Sequence, residues 1–301
     1  MANTLSVRRQ GAAVGNRVRE DPANAQQARD APRLLILIHG YQNSEEKAAG
    51  SFGAFLAAMW SVLPQGLGPL GAVWEFHWPG DHPFGPLSVA TYGTRVPVAI
   101  AAGNRLAQRW LARRQPEQKV VIVAHSLGCR VALEAIEWIR EQDEYGAAAD
   151  PPNGYRGATV EAVFLLAAAV PVHLCDPDDD GYLEQPWRDS KEHAFHSRHD
   201  RALGKIFNAG EWVANEHGPA VGLAGAPAGR WSSSTPMPHL GHGDYWSSKD
   251  VAEEIGALLG LIPRPLGRRE LPEDELAHDE RHLAAREPGQ RSLWSRVTGA
   301  A

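Results

Sequence analysis

The chain has 301 residues, 43% of them hydrophobic, and a net charge of −6 with histidine neutral. That length and apolar content suffice for one domain with a buried core, and the acidic balance argues against a nucleic-acid partner. The only cysteines are Cys129 and Cys175, which form no Cys-x-x-Cys pair; the sequence therefore offers neither a disulfide framework nor a cysteine zinc site.

Residues 1–31 are polar, with Arg, Gln and Asn and no periodicity, and read as a disordered extension. They lack the apolar core of a secretory leader, and no stretch approaches the roughly 20 apolar residues that cross a bilayer. The expectation is a cytoplasmic chain without a membrane span. Residues 32–262 then alternate apolar runs with amphipathic stretches. Leu34–Ile38 is a continuous apolar run, the mark of a strand buried on both faces. Ser44–Leu63 is the first helix, with Ser44 as N-cap ahead of Glu45 and Glu46. Val73–Trp78 is a strand stopped by Pro79 and Gly80, and Val98–Arg114 is a helix. Val120–Val123 is a strand, followed by a helix over Leu127–Glu141. Val160–Ala167 and the less apolar Glu192–Ser197 are further strands, and a sixth is placed near Arg230–Ser234. Lys249–Leu261 closes the region as a helix capped by Ser247 or Ser248. Strands separated by helices of this length predict an α/β fold, with a mostly parallel central sheet and helices on both faces. Sites in such sheets form at the carboxyl ends of the strands. Residues 263–301 are rich in Pro, Arg and Glu and read as a solvated, charged extension.

The most informative segment runs from Lys119 to Leu133. A buried strand enters a helix directly, with Ser126 at the joint. A turn this tight holds the serine in a strained backbone conformation with its hydroxyl presented to the outside. It needs small neighbours, and the sequence supplies Ala124, Gly128 and Cys129. The helix start aims its free N–H groups and positive dipole end at the joint, so the Leu127 N–H is placed to donate to an oxyanion. A second donor comes from the end of the first apolar run, where His39 and Gly40 let the chain turn and bring the Tyr41 N–H round to the serine. His39 is expected to support this loop by hydrogen bonding.

His39-Gly40-Tyr41 after one strand, Trp78-Pro79 after the next and Ala124–Gly128 around the serine together resemble the α/β-hydrolase superfamily. The likeness is to its small bacterial esterase- and lipase-like families, several of them of unknown function, and it covers about residues 33–261. It implies a serine nucleophile with an acid and a histidine following it along the chain. On that order Asp200, in the turn after the Glu192–Ser197 strand, is the candidate acid, and Asp176 is its rival. His242, between Gly241 and Gly243 before the last helix, is the candidate base, with His239 and then His217 as rivals. The expected activity is cleavage of a carboxylic ester, thioester or amide of a small-molecule acyl substrate through an acyl-enzyme, with no cofactor and no metal. The alternatives are a catalytically inactive hydrolase fold retained for binding or as a scaffold, and an acyltransferase. The sequence says nothing of oligomeric state.

Two further signals carry less. Asp176, Asp178, Asp180 and Gly181 resemble the first half of a calcium loop, but Trp187 stands where the bidentate Glu belongs. They read as a solvated acidic loop near the mouth of the site. Segments His77–Pro86 and Val221–Trp231 are rich in aromatic residues, Pro and Gly, and suit a substrate rim.

Overall fold

In the computed structural model the described residues are 3–9, 13–23, 26, 30–81, 91–147, 154–176, 182, 190–207, 218–227 and 231–264. The chain divides into two units, Met1–Pro263 and Arg264–Ala301. The second, where the charged extension was expected, lies outside the described residues apart from Arg264.

Among the described residues eight strands form one sheet in the order β2-β1-β4-β3-β5-β6-β7-β8. They are β1 Asn3–Arg8, β2 Val14–Asp21, β3 Arg33–Ile38, β4 Ala72–His77, β5 Lys119–His125, β6 Thr159–Leu166, β7 Lys191–His196 and β8 Ser233–Pro236. All neighbours are parallel except β1 and β2. The apolar runs of β3 and β5 sit side by side at the centre, and from Leu34 to Ile38 and Val120 to Ala124 no residue is more than 1% exposed. Burial on both faces is what their unbroken hydrophobicity demands.

Among the described residues four helices of ten residues or more cover the sheet: α1 Glu45–Val62, α2 Val96–Arg109, α3 Gly128–Ala147 and α4 Lys249–Leu258. Ser44 Oγ caps α1 by accepting the Lys47 N–H at 3.3 Å, and Ser248 Oγ caps α4 through Val251 at the same distance. The helices pack in two pairs, α1 with α4 and α2 with α3. Gly103 is what lets α2 approach α3: a Cβ there would stand 2.4 Å from the Val131 carbonyl oxygen. The second helix ends at Arg109, not Arg114, because residues Leu111–Arg113 tighten into a 3-10 turn.

The N-terminus corrects the sequence reading. Within the stretch expected to be disordered, Asn3–Arg8 and Val14–Asp21 are strands β1 and β2. Thr4, Leu5, Ser6 and Val7 alternate polar and apolar, and Leu5 and Val7 are fully buried where β1 pairs with β4. Two apolar residues in a polar segment do not declare a strand by themselves; the neighbouring strand makes it one. At its end Arg8 donates to the Trp78 carbonyl at 2.8 Å and pairs with Asp81, which fixes the loop after β4.

Candidate active site

The chain reverses direction sharply between β5 and α3. Ser126 takes φ of 54°, a left-handed conformation that costs a non-glycine residue roughly 1–3 kcal/mol. Its own N–H donates to Leu166 O at 2.9 Å, and its carbonyl accepts from Cys129 N and Ala169 N at 3.0 and 3.2 Å. Backbone bonds on three sides therefore hold the strained residue. Gly128 is required by packing, because a Cβ would come within 2.3 Å of the His39 carbonyl oxygen. Gly40 is required for the same kind of reason: its Cβ would lie 2.8 Å from Ser126 Cβ. The loop after β3 thus runs against the serine with backbone alone.

Around the serine three side chains line up. Ser126 Oγ stands 2.9 Å from His242 Nε2, and His242 Nδ1 stands 2.7 Å from Asp200 Oδ2. A carboxylate only accepts, so His242 carries its proton on Nδ1 and its Nε2 is free to accept from the serine hydroxyl. Asp200 is 1% exposed. Its other oxygen, Oδ1, accepts from the N–H groups of Ala202 and Leu203, both at 3.0 Å. One carboxylate therefore caps the helical turn after β7 and holds the imidazole at the same time. His242 lies in the turn between β8 and α4, where Asp244 Oδ2 accepts from Gly241 N at 2.8 Å. All three residues sit at the carboxyl edge of the sheet, reached from β5, β7 and β8.

The rivals are elsewhere. His239 pairs with Asp250 at 2.9 Å, both half exposed. Asp176 follows a 3-10 turn, Val172–Cys175, and its N–H donates to His173 O. His217 and the acidic loop beyond Asp176 lie outside the described residues, Tyr182 excepted, as do residues 82–86 of the first aromatic segment and 228–230 of the second. Among the described residues no three His, Cys, Asp or Glu side chains come together as a metal-binding group, and no helix is long and apolar enough to cross a membrane.

Two buried histidines frame the site. His39 donates from Nδ1 to Gly40 O at 2.9 Å and accepts the Trp78 N–H at Nε2, while the Trp78 indole donates to His39 O at 2.7 Å. Burial pulls its imidazole down to about 3, against the raising effect of the Gly40 carbonyl. It is therefore a neutral strut for the Gly40 loop. His125 is likewise pulled down to about 3 by burial and then by the neighbouring His242.

A cavity of about 200 Å³ opens beside the serine, lined by Tyr41, Tyr92, Ala169, Leu203 and Phe207 together with Ser126 and His242. The two tyrosine hydroxyls are turned to partners, Tyr41 to Thr91 Oγ1 at 2.6 Å and Tyr92 to Ala169 O at 3.3 Å. Sequence reasoning singled out Tyr41 but not Tyr92, Leu203 or Phe207. They come from two segments with no shared pattern, Tyr92 from the stretch before α2 and the other two from the helical turn Leu203–Phe207 that follows Asp200.

A buried, mostly parallel sheet with a strained serine between strand and helix defines the α/β-hydrolase class. The family model described as alpha/beta hydrolase of unknown function (DUF900) matches residues 19–207, and the chain belongs to that family. None of the curated proteins matches the sequence. Among solved structures the chain aligns with an acetyl ester-xyloside bifunctional hydrolase from Caldicellulosiruptor lactoaceticus, at 11% identity and a TM-score of 0.34, over 76% of this chain and 84% of that one.

Proposed function

We propose that this hydrolase is a serine esterase, cleaving a carboxylic ester, or a related thioester or amide, through an acyl-enzyme on Ser126. The observation that carries the reading is the unbroken hydrogen-bonded line from Ser126 Oγ through His242 to Asp200, at 2.9 and 2.7 Å, on a serine of positive φ.

Ser126 Oγ attacks the carbonyl carbon while its proton passes to His242 Nε2. Asp200 keeps the imidazolium oriented and compensates its charge. The N–H groups of Leu127 and Tyr41 receive the oxyanion, each such donor lowering the barrier by about 3 kcal/mol. The tetrahedral intermediate collapses, the bond to the leaving group breaks, and the leaving group takes the proton from His242. Water then attacks the acyl-serine, giving its proton to His242, and the acid departs as Ser126 recovers its hydrogen. The uncharged, largely aromatic and aliphatic cavity beside the serine suits a compact neutral acyl group. Short p-nitrophenyl esters and a fluorophosphonate probe test this. The native chain should hydrolyse the former and be labelled by the latter, and Ser126→Ala should do neither. Equal labelling of the two chains would place the reactive group elsewhere, and a native chain inert to both would favour a binding or scaffold role.

A further inference from the structure

His125, the residue before the serine, makes a contact that the chemistry described above does not use. Its Nε2 lies 2.7 Å from the backbone carbonyl oxygen of His242, 117 residues away. A carbonyl only accepts, so His125 must carry its proton on Nε2 and donate. The rest of its surroundings enforce the same tautomer. Nδ1 is buried and has no hydrogen-bond partner among the described residues, and it faces Gly40, whose added Cβ would stand 3.1 Å away. A proton on that nitrogen would be an unsatisfied buried donor.

We propose that His125 is a positioning residue, anchoring the backbone of His242 so that the imidazole keeps its hydrogen-bonding distance from Ser126. The proposal rests on the serine-esterase reading. Its physical content is simple. His242 sits in a turn flanked by Gly241 and Gly243, two residues whose backbone is intrinsically loose. Within that turn Asp244 holds Gly241, but that bond does not reach the sheet. The His125 bond supplies the link, tying the base directly to the strand that presents the nucleophile. Ser126 and the anchor are adjacent residues, so the relative placement of nucleophile and base is fixed over one peptide unit. The ring of His125 also packs against that of His242, with centroids 4.9 Å apart, and against Tyr245 and Trp246 at 6.3 and 5.8 Å. The titratable groups facing it are His242, Asp200, His39 and Tyr245. A neutral His125 leaves the charge that His242 gains during reaction unopposed by a second cation; a protonated one would repel it.

The test uses His125→Phe, which keeps a ring and loses the donor, and His125→Gln, whose side-chain amide can place an N–H where Nε2 now sits. His125→Phe should lower kcat on a p-nitrophenyl ester, and the rate of fluorophosphonate labelling, by about 10- to 100-fold with KM little changed, as expected when a base is displaced by a fraction of an ångström. His125→Gln should recover most of that loss. Native kcat in the Phe variant, or equal losses in both variants, would overturn the proposal. A measurement without mutation guards against a variant that does not fold: nitrogen NMR of histidine-labelled native protein should show the His125 proton on Nε2, with no titration from roughly pH 5 to 9. A proton on Nδ1, or titration in the ordinary imidazole range, would overturn it equally. A native chain that reacts with no fluorophosphonate overturns the esterase reading and this one together, and that control separates the two failures.

Discussion

Asp200 does two jobs with two oxygens, and this sets what its substitution should do. Asn at this position keeps an oxygen to cap the turn after β7, so folding should survive. It cannot hold the imidazolium of His242 by charge, and its amide favours the wrong tautomer. Asp200→Asn should therefore lower kcat by about 10³- to 10⁴-fold on any ester the native chain turns over, with an unchanged unfolding midpoint. Asp176→Asn, whose residue lies beyond the turn after β6, should leave kcat near native. Steady-state kinetics of the pair decide between the two carboxylates, and a larger loss at Asp176 would reverse the assignment. The strain at Ser126 belongs to the same scale: three backbone hydrogen bonds hold the unfavourable φ, so the serine is presented by its surroundings and not by its own preference.

At the scale of elements, the site depends on parts of the chain that do not touch it. Strand β1 covers the edge of β4, and Arg8 at its end clasps the Trp78 carbonyl and Asp81. Trp78 in turn holds His39, and His39 holds the Gly40 carbonyl. This chain of contacts joins the N-terminus to the loop that lies against Ser126. Leu5 is fully buried in β1, so Leu5→Ala should cost about 2–4 kcal/mol, measured by urea unfolding. A cost under roughly 0.5 kcal/mol, the size of a surface substitution, would mean that the strand is not integral to the sheet.

For the whole molecule the two framing histidines link stability to pH. Both imidazoles are held near 3 in the folded chain and return to about 6.5 when it unfolds. Between those values the unfolded chain binds more protons, so stability is full above pH 6.5 and declines as acid is added. For the pair the loss from pH 6.5 to pH 5 is on the order of 3 kcal/mol. Urea unfolding at the two pH values measures it, and His125→Gln should remove about half of the slope. Equal stability at both would show that these histidines are not buried in the neutral form.

The amino-acid sequence alone determined the central layers and the strand-to-helix joint at Ser126. The reason is that those signals are local: unbroken apolar runs in β3 and β5, and small residues at Ala124, Gly128 and Cys129 around one serine. It also narrowed the candidate acid and base by residue type and by their places next to recognisable elements, though choosing Asp200 over Asp176 and His242 over His239 leaned on the loops where the resemblance places these groups. Tertiary structure alone decided the rest. Leu5 and Val7 become a strand only because β4 offers an edge, and the Ser126–His242–Asp200 distances exist only once β5, β7 and β8 are in register. The bond from His125 to His242 spans 117 residues, and no local pattern of hydrophobicity or spacing encodes a partner that far along the chain.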